Sequence, residues 1–317
     1  MVEFDFLYRG LCGMANAPRA GSMAGHLGAA VMAGYFFGED HPDLEAGVYS
    51  AIERDLNRIT GGEESIWFDP KKAGITAAEL FAPLPKEPAR TDLTDKIATA
   101  LSRNIGETRQ SGHNVIFASV AIRALRDHKQ FATPKLVGGI EKLIGMFDAV
   151  HAGRGYYGKK IGWKNGKQAP VAEGADLKNY SSAREMAETV ISELIQSASQ
   201  HRQGFGGLFH LMNHAAALTE LERFGYAELA RKGLSAHRHH LLLYRALPDL
   251  EGELGKLETT NADPLKAGYW KKTESRQWGA WLTHRIKTLY GFHTLLRFVE
   301  DKDKRARALK QFGYLMA

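Results

Sequence analysis

Apolar side chains recur at three-and-four spacing, with polar residues between them, over residues 93–105 and 182–198. That period predicts amphipathic helices. The second stretch opens on Ser182 and Glu185, which have the spacing of a capping box. Similar periodic runs are led by Leu44, Val48 and Ile52, and by Leu136, Ile140 and Leu143. Others extend from Tyr226 to Leu243 and from Lys304 to Leu315. Two stretches break the period. Residues 60–90 contain Pro70, Pro83, Pro85 and Pro88, each of which removes a backbone donor and interrupts a helix. Residues 153–179 are rich in glycine and lysine. Both are flanked by apolar helices that need partners, so they read as long excursions from a single helical domain spanning residues 1–317.

One pattern recurs within this helical background. Gly25-His26 opens a run of small and apolar residues ending at Asp40-His41, and Gly112-His113 opens a similar run ending at Asp127-His128. A looser third copy starts at His214 with Ala215-Ala216-Ala217-Leu218. A fourth candidate covers 278–300 and holds His284 and His293. A two-helix unit cannot bury its apolar face alone, so several must stack. The expected fold is all-α, an irregular α/α toroid or helical-repeat bundle built from stacked two-helix units. The small-residue helices would then form an inner layer, with their histidines at one end.

Composition narrows the class. The 317 residues are 44% hydrophobic and 25% charged, the balance of an ordinary globular protein. Cys12 stands alone, so neither an internal disulfide nor a cysteine-based zinc site can form. No apolar run is long enough to span a bilayer, so no membrane partner is expected. The first residues are acidic where a signal peptide would be basic, which makes the cytoplasm the expected address. The net charge of +6 is concentrated in 152–172, where Arg154, Lys159, Lys160, Lys164 and Lys167 occur without an acidic residue. No Walker loop, dinucleotide fingerprint, nucleophile elbow or H-E-x-x-H motif is present.

Histidines carry the candidate chemistry. His26 and His113 each follow a glycine at the start of a helix, where the dipole disfavours protonation. A neutral imidazole there can act as a general base, or serve only to shape the helix start. His210 and His214 lie four apart and share a helix face, which suits a transition metal if a further ligand comes from elsewhere, such as His113 or His26. The same two residues could equally be structural. The run His237-Arg238-His239-His240 points to several faces of one helix and is read as no site. The segment 153–167 combines five glycines with aromatic and basic residues. Arg154, Tyr156, Tyr157, Lys159, Lys160, Trp163 and Lys164 make it a candidate ligand-binding lid; a solvated connection is the plainer alternative. Nucleic acid is the least favoured partner for it, because the total charge is modest.

The blocks GHLGAAVMAGY (25–35), GHNVIFASVAIRAL (112–125) and LFHLMNHAAAL (208–218) resemble the questin oxidase-like family. Those are helical proteins associated with oxidative ring opening of aromatic polyketides. The resemblance implies that the histidines face a shared cavity and that the chemistry is that of an oxidoreductase. The chain is also similar to other α/α-toroid proteins such as terpene and lanthionine cyclases, but lacks the acidic cluster of the first and the Cys/His zinc set of the second. The expected function is therefore an enzyme acting on a small organic molecule in a cavity lined by His26, His113, His210 and His214. The alternative is a binding or scaffold protein that holds an acidic or nucleic-acid partner through its concave surface and basic loop. A metal-dependent hydrolase or oxygenase is a third reading.

Overall fold

The computed structural model describes residues 1–172, 177–273 and 279–317. Trp278, where the fourth candidate copy begins, lies outside them. The protein is predominantly all-α, with 64% helix and one two-stranded sheet. In chain order the helices are α1 (Asp5–Asn16), α2 (Gly25–Asp40), α3 (Ala46–Thr60), α4 (Pro70–Ala73), α5 (Ala77–Leu80), α6 (Thr94–Ser102), α7 (His113–Asp127) and α8 (Pro134–Gly145). They continue as α9 (Ala183–Ser197), α10 (Gly207–Arg223), α11 (Ala227–Arg245), α12 (Glu251–Leu254), α13 (Ala267–Lys272), α14 (Trp281–Leu296) and α15 (Lys302–Met316). No helix among the described residues is long and apolar enough to cross a membrane.

The chain divides into two compact units, each assembled from three segments. The first comprises Met1–Leu101, Phe117–Met146 and Ala262–Tyr290; the second comprises Ser102–Ile116, Phe147–Asn261 and Gly291–Ala317. Two of the divisions fall well inside α7 and α14, and a third separates the last residue of α6.

In the first unit α1 packs on α2 and α8, and α2 packs on α3. Every residue of α2 from Gly25 to Gly38 is buried, as expected of a helix that is apolar on all sides. Glycine sets the spacing. A Cβ on Gly28 would lie 2.6 Å from the Gly10 carbonyl oxygen, so α1 and α2 meet backbone to backbone. Two buried arginines are ion-paired, the condition under which a charge is tolerated inside a protein. Arg123 donates to Asp40 at 2.8 and 2.9 Å and to Glu39 at 3.0 Å, over the face of Phe36. Arg285 donates to Asp55 and Thr273 between the rings of Trp270 and Trp281. Excursion 60–90, read from the sequence as non-periodic, contains α4 and α5, capped by Asp69 and Thr76 respectively.

In the second unit α10 packs against α9 and α11, and α15 packs against α9. Ser182 caps α9 by accepting from the Glu185 N–H, but the Glu185 carboxylate turns to the N–H and hydroxyl of Ser181. The sequence signal for the helix start is thus used, with the return half of the box displaced by one residue. The basic excursion forms an antiparallel hairpin, β1 (Arg154–Tyr156) with β2 (Trp163–Asn165). It is tied down by a bridge between Gly155 and Gly204 and by the Tyr156 hydroxyl, which donates to Glu253 at 2.7 Å.

Candidate functional site

Four histidines occupy the first turn of a helix: His26 in α2, His113 in α7, His210 in α10 and His284 in α14. In each, Nδ1 lies against the backbone carbonyl three or four residues earlier. The partners are Met23 (2.9 Å), Gln110, Gly206 (2.9 Å) and Ala280 (2.9 Å). A carbonyl only accepts, so Nδ1 carries the proton and Nε2 presents its lone pair. That tautomer is the one a ligating imidazole adopts, oriented by its own backbone.

In the second unit two of these rings meet. His113 Nε2 and His210 Nε2 are 3.0 Å apart, and both side chains are buried. With both Nδ1 protons committed to carbonyls, neither Nε2 can donate to the other. Two lone pairs facing each other at this distance repel, so a shared proton or a cation belongs between them. The spacing is that of an ordinary N–H···N hydrogen bond and also suits a shared ion. Two nitrogens bound at about 2.1 Å lie about 3.0 Å apart when they subtend a right angle at one ion, and about 3.4 Å apart near the tetrahedral angle.

Both histidines are set by left-handed turns. Gln110, Ser111 and Gly112 have φ of +40°, +57° and +83° just before His113; Phe205, Gly206 and Gly207 have +46°, +71° and +59° just before His210. Positive φ is costly for residues with a Cβ. The first turn is held by the N–H groups of Gln110 and Ser111, which donate to His151 and Ala152 at 2.8 Å each. A cavity of about 340 Å³ adjoins it, lined in part by Thr108, Arg109, His151, Lys167 and His239.

The remaining buried histidines of this unit are wired differently. His240 donates from Nε2 to the Phe205 carbonyl at 2.7 Å, which leaves its Nδ1 to accept from His214 Nδ1 at 3.3 Å. His237 donates from Nε2 to the Leu211 carbonyl at 3.2 Å. The His214 ring lies edge-on to that of His237, with centroids 5.1 Å apart. Burial is the main cause holding all three below the ordinary histidine value, His237 at about 3 and His240 at about 4, with neighbouring histidines adding to it. They are neutral core residues.

In the first unit His26 stacks on Trp67 with ring centroids 3.6 Å apart, and the centroid of His284 is 5.7 Å from that of His26. Trp67 Nε1 donates to Glu64 at 3.0 Å, and Glu64 also accepts from the Thr283 N–H. Lys287 stands with its Nζ 5.8 Å from the Trp67 ring. Burial brings its amine down to about 7, against the opposing pull of Glu64.

Of the residues singled out from sequence, His113 and His210 come together. His214 instead directs its Nδ1 to His240, and His26 lies in the first unit beside Trp67 and His284. The helix start in α10 that corresponds to His26 and His113 is that of His210, one turn before the residue aligned from sequence. Hairpin residues Arg154, Lys159, Lys160 and Trp163 are exposed, whereas Tyr156, Tyr157 and Lys164 are half-buried. Sequence reasoning missed Glu64, Trp67 and Lys287, which lie in non-periodic or ordinary helical sequence. The signal that was available is a histidine within four residues of a glycine at a helix start. Comparison of the chain with models of known protein families, with curated proteins and with solved structures finds no match.

Proposed function

We propose that the protein is an enzyme acting on a small organic molecule, with a divalent transition metal held by His113 and His210. The carrying observation is the 3.0 Å approach of two Nε2 atoms whose Nδ1 protons are both committed to backbone carbonyls. Neutral imidazole nitrogens suit iron, copper, nickel and zinc. Bound iron or copper would supply oxidoreductase chemistry and zinc would supply hydrolysis. The cavity beside the 110–112 turn offers a small anion Arg109 and Lys167, and Arg109 is four residues from His113.

The test is metal analysis of the purified protein, alone and after incubation with single divalent ions. About one equivalent is expected, and His113→Ala and His210→Ala should each lose it while His201→Ala retains it. A protein that takes up none of these ions, and whose thermal stability is unmoved by them, overturns the reading.

A second reading, capture of an acidic partner, is favoured by the hairpin. Arg154 lies over Trp163 at 5.4 Å, and Lys159 and Lys160 are exposed beside it. Replacing Lys159, Lys160 and Lys164 by alanine together should abolish salt-dependent retention on an anionic resin; unchanged retention removes this reading.

A further inference from the structure

Lys287 follows His284 by three residues in α14, so the two project from the same side of the helix. Its side chain is 4% exposed, and among the described residues its Nζ makes no hydrogen bond or ion pair. A buried ammonium needs partners to hold its proton. The charged neighbour is Glu64, itself buried, whose oxygens already accept from Trp67 Nε1 and from the Thr283 N–H. The rest of the surroundings is aromatic: Trp67, with His26 stacked on it and His284 tilted against it at 5.5 Å. Trp67 and His284 are only half-buried, so the cluster reaches the surface through flat rings.

We propose that Lys287 is a nucleophilic amine that condenses with small aromatic aldehydes or ketones to form an imine. The Nζ lone pair adds to the carbonyl carbon, forming the C–N bond. The carbonyl π pair moves to oxygen, which takes up the proton released by nitrogen and gives a carbinolamine. Loss of the hydroxyl with one more proton, as water, leaves the C=N bond, and no electron donor or acceptor is consumed. His26 and His284, each with Nδ1–H committed to a carbonyl, belong to the same cluster and relay these protons. Desolvation supports the role, because it makes the uncharged amine abundant near neutral pH. The inference is independent of a metal at His113 and His210.

The experiment is reductive trapping with benzaldehyde and cyanoborohydride at pH 7 on the full chain, with labelled lysines located by peptide mass mapping. Lys287 should be labelled at least about ten times faster than the exposed Lys159. Glu64→Gln should move the pH midpoint of Lys287 labelling downward, because removing the anion withdraws what favours the ammonium. Lys287→Met should abolish the fast phase; should that variant misfold, the site-resolved rates in the wild type still decide. Labelling of Lys287 no faster than Lys159 in the folded wild type overturns the proposal, whatever the metal content.

Discussion

The second unit holds two groups of buried histidines that differ in where their protons point. In the His113–His210 pair both Nδ1–H groups donate to carbonyls of their own turns, and two acceptors face each other at 3.0 Å. In the His214–His237–His240 group the donors are spent inward, on Phe205, on Leu211 and on a second ring. In the first arrangement acceptor faces acceptor, which asks for a cation; in the second, His214 turns a donor to the His240 acceptor, although α10 contributes to both. Proximity of imidazoles is therefore no measure of a metal site. The carbonyl that fixes each tautomer is.

Acid should produce the largest separation between the two groups. An unfolded histidine titrates near 6.5, whereas His237 and His240 do so at about 3 and about 4 and His214 well below its ordinary value. Below pH 6.5 the unfolded chain thus binds more protons than the folded one. Stability is complete above that pH and is lost as pH falls toward the folded values. Each group costs up to about 1.4 kcal/mol per pH unit, so three together cost at most about 4 kcal/mol per unit. Urea denaturation from pH 7 to 4.5 measures this slope, and a flat profile would show that these rings are not held neutral.

Next in size is the response of metal affinity. His210→Ala should weaken binding by a hundredfold or more, about 2.7 kcal/mol, while His237→Phe leaves the affinity of folded protein unchanged. Equal losses in both variants would erase the distinction between pair and core. Gly112→Ala tests the joint between the groups. The residue has φ +83°, and a Cβ there would lie 2.5 Å from His214 Cγ while directly preceding His113. A cost of about 1–3 kcal/mol in chemical denaturation is expected, with weakened metal binding. The smallest effect belongs to the hairpin: Lys159, Lys160 and Lys164 changed together to alanine should alter thermal stability by under about 0.5 kcal/mol.

The helices were legible because a core-facing helix must repeat its apolar positions with the helical period. The stretches read from Tyr226, Leu136 and 182–198 correspond to α11, α8 and α9, with ends shifted by one or two residues. Those ends are decided by caps such as Ser182, whose partner choice the spacing left open. The hairpin was hidden because its register depends on a bridge to Gly204 and a hydrogen bond to Glu253. Lys287 was hidden for a similar reason. In a helical pattern it reads as a surface cation, and only burial beside Trp67 changes its chemistry.

By itself, the sequence determined that this chain is helical, cannot close an internal disulfide, and places histidines at helix starts next to glycines. The period of side chains and the steric freedom of glycine are properties of neighbouring residues, so they can be read locally. Tertiary structure alone decided that the units divide inside α7 and α14, that His210 rather than His214 meets His113, and which imidazole lone pairs remain exposed to one another. Those outcomes depend on which backbone carbonyls and which distant side chains arrive at each ring, and no spacing along the chain encodes that.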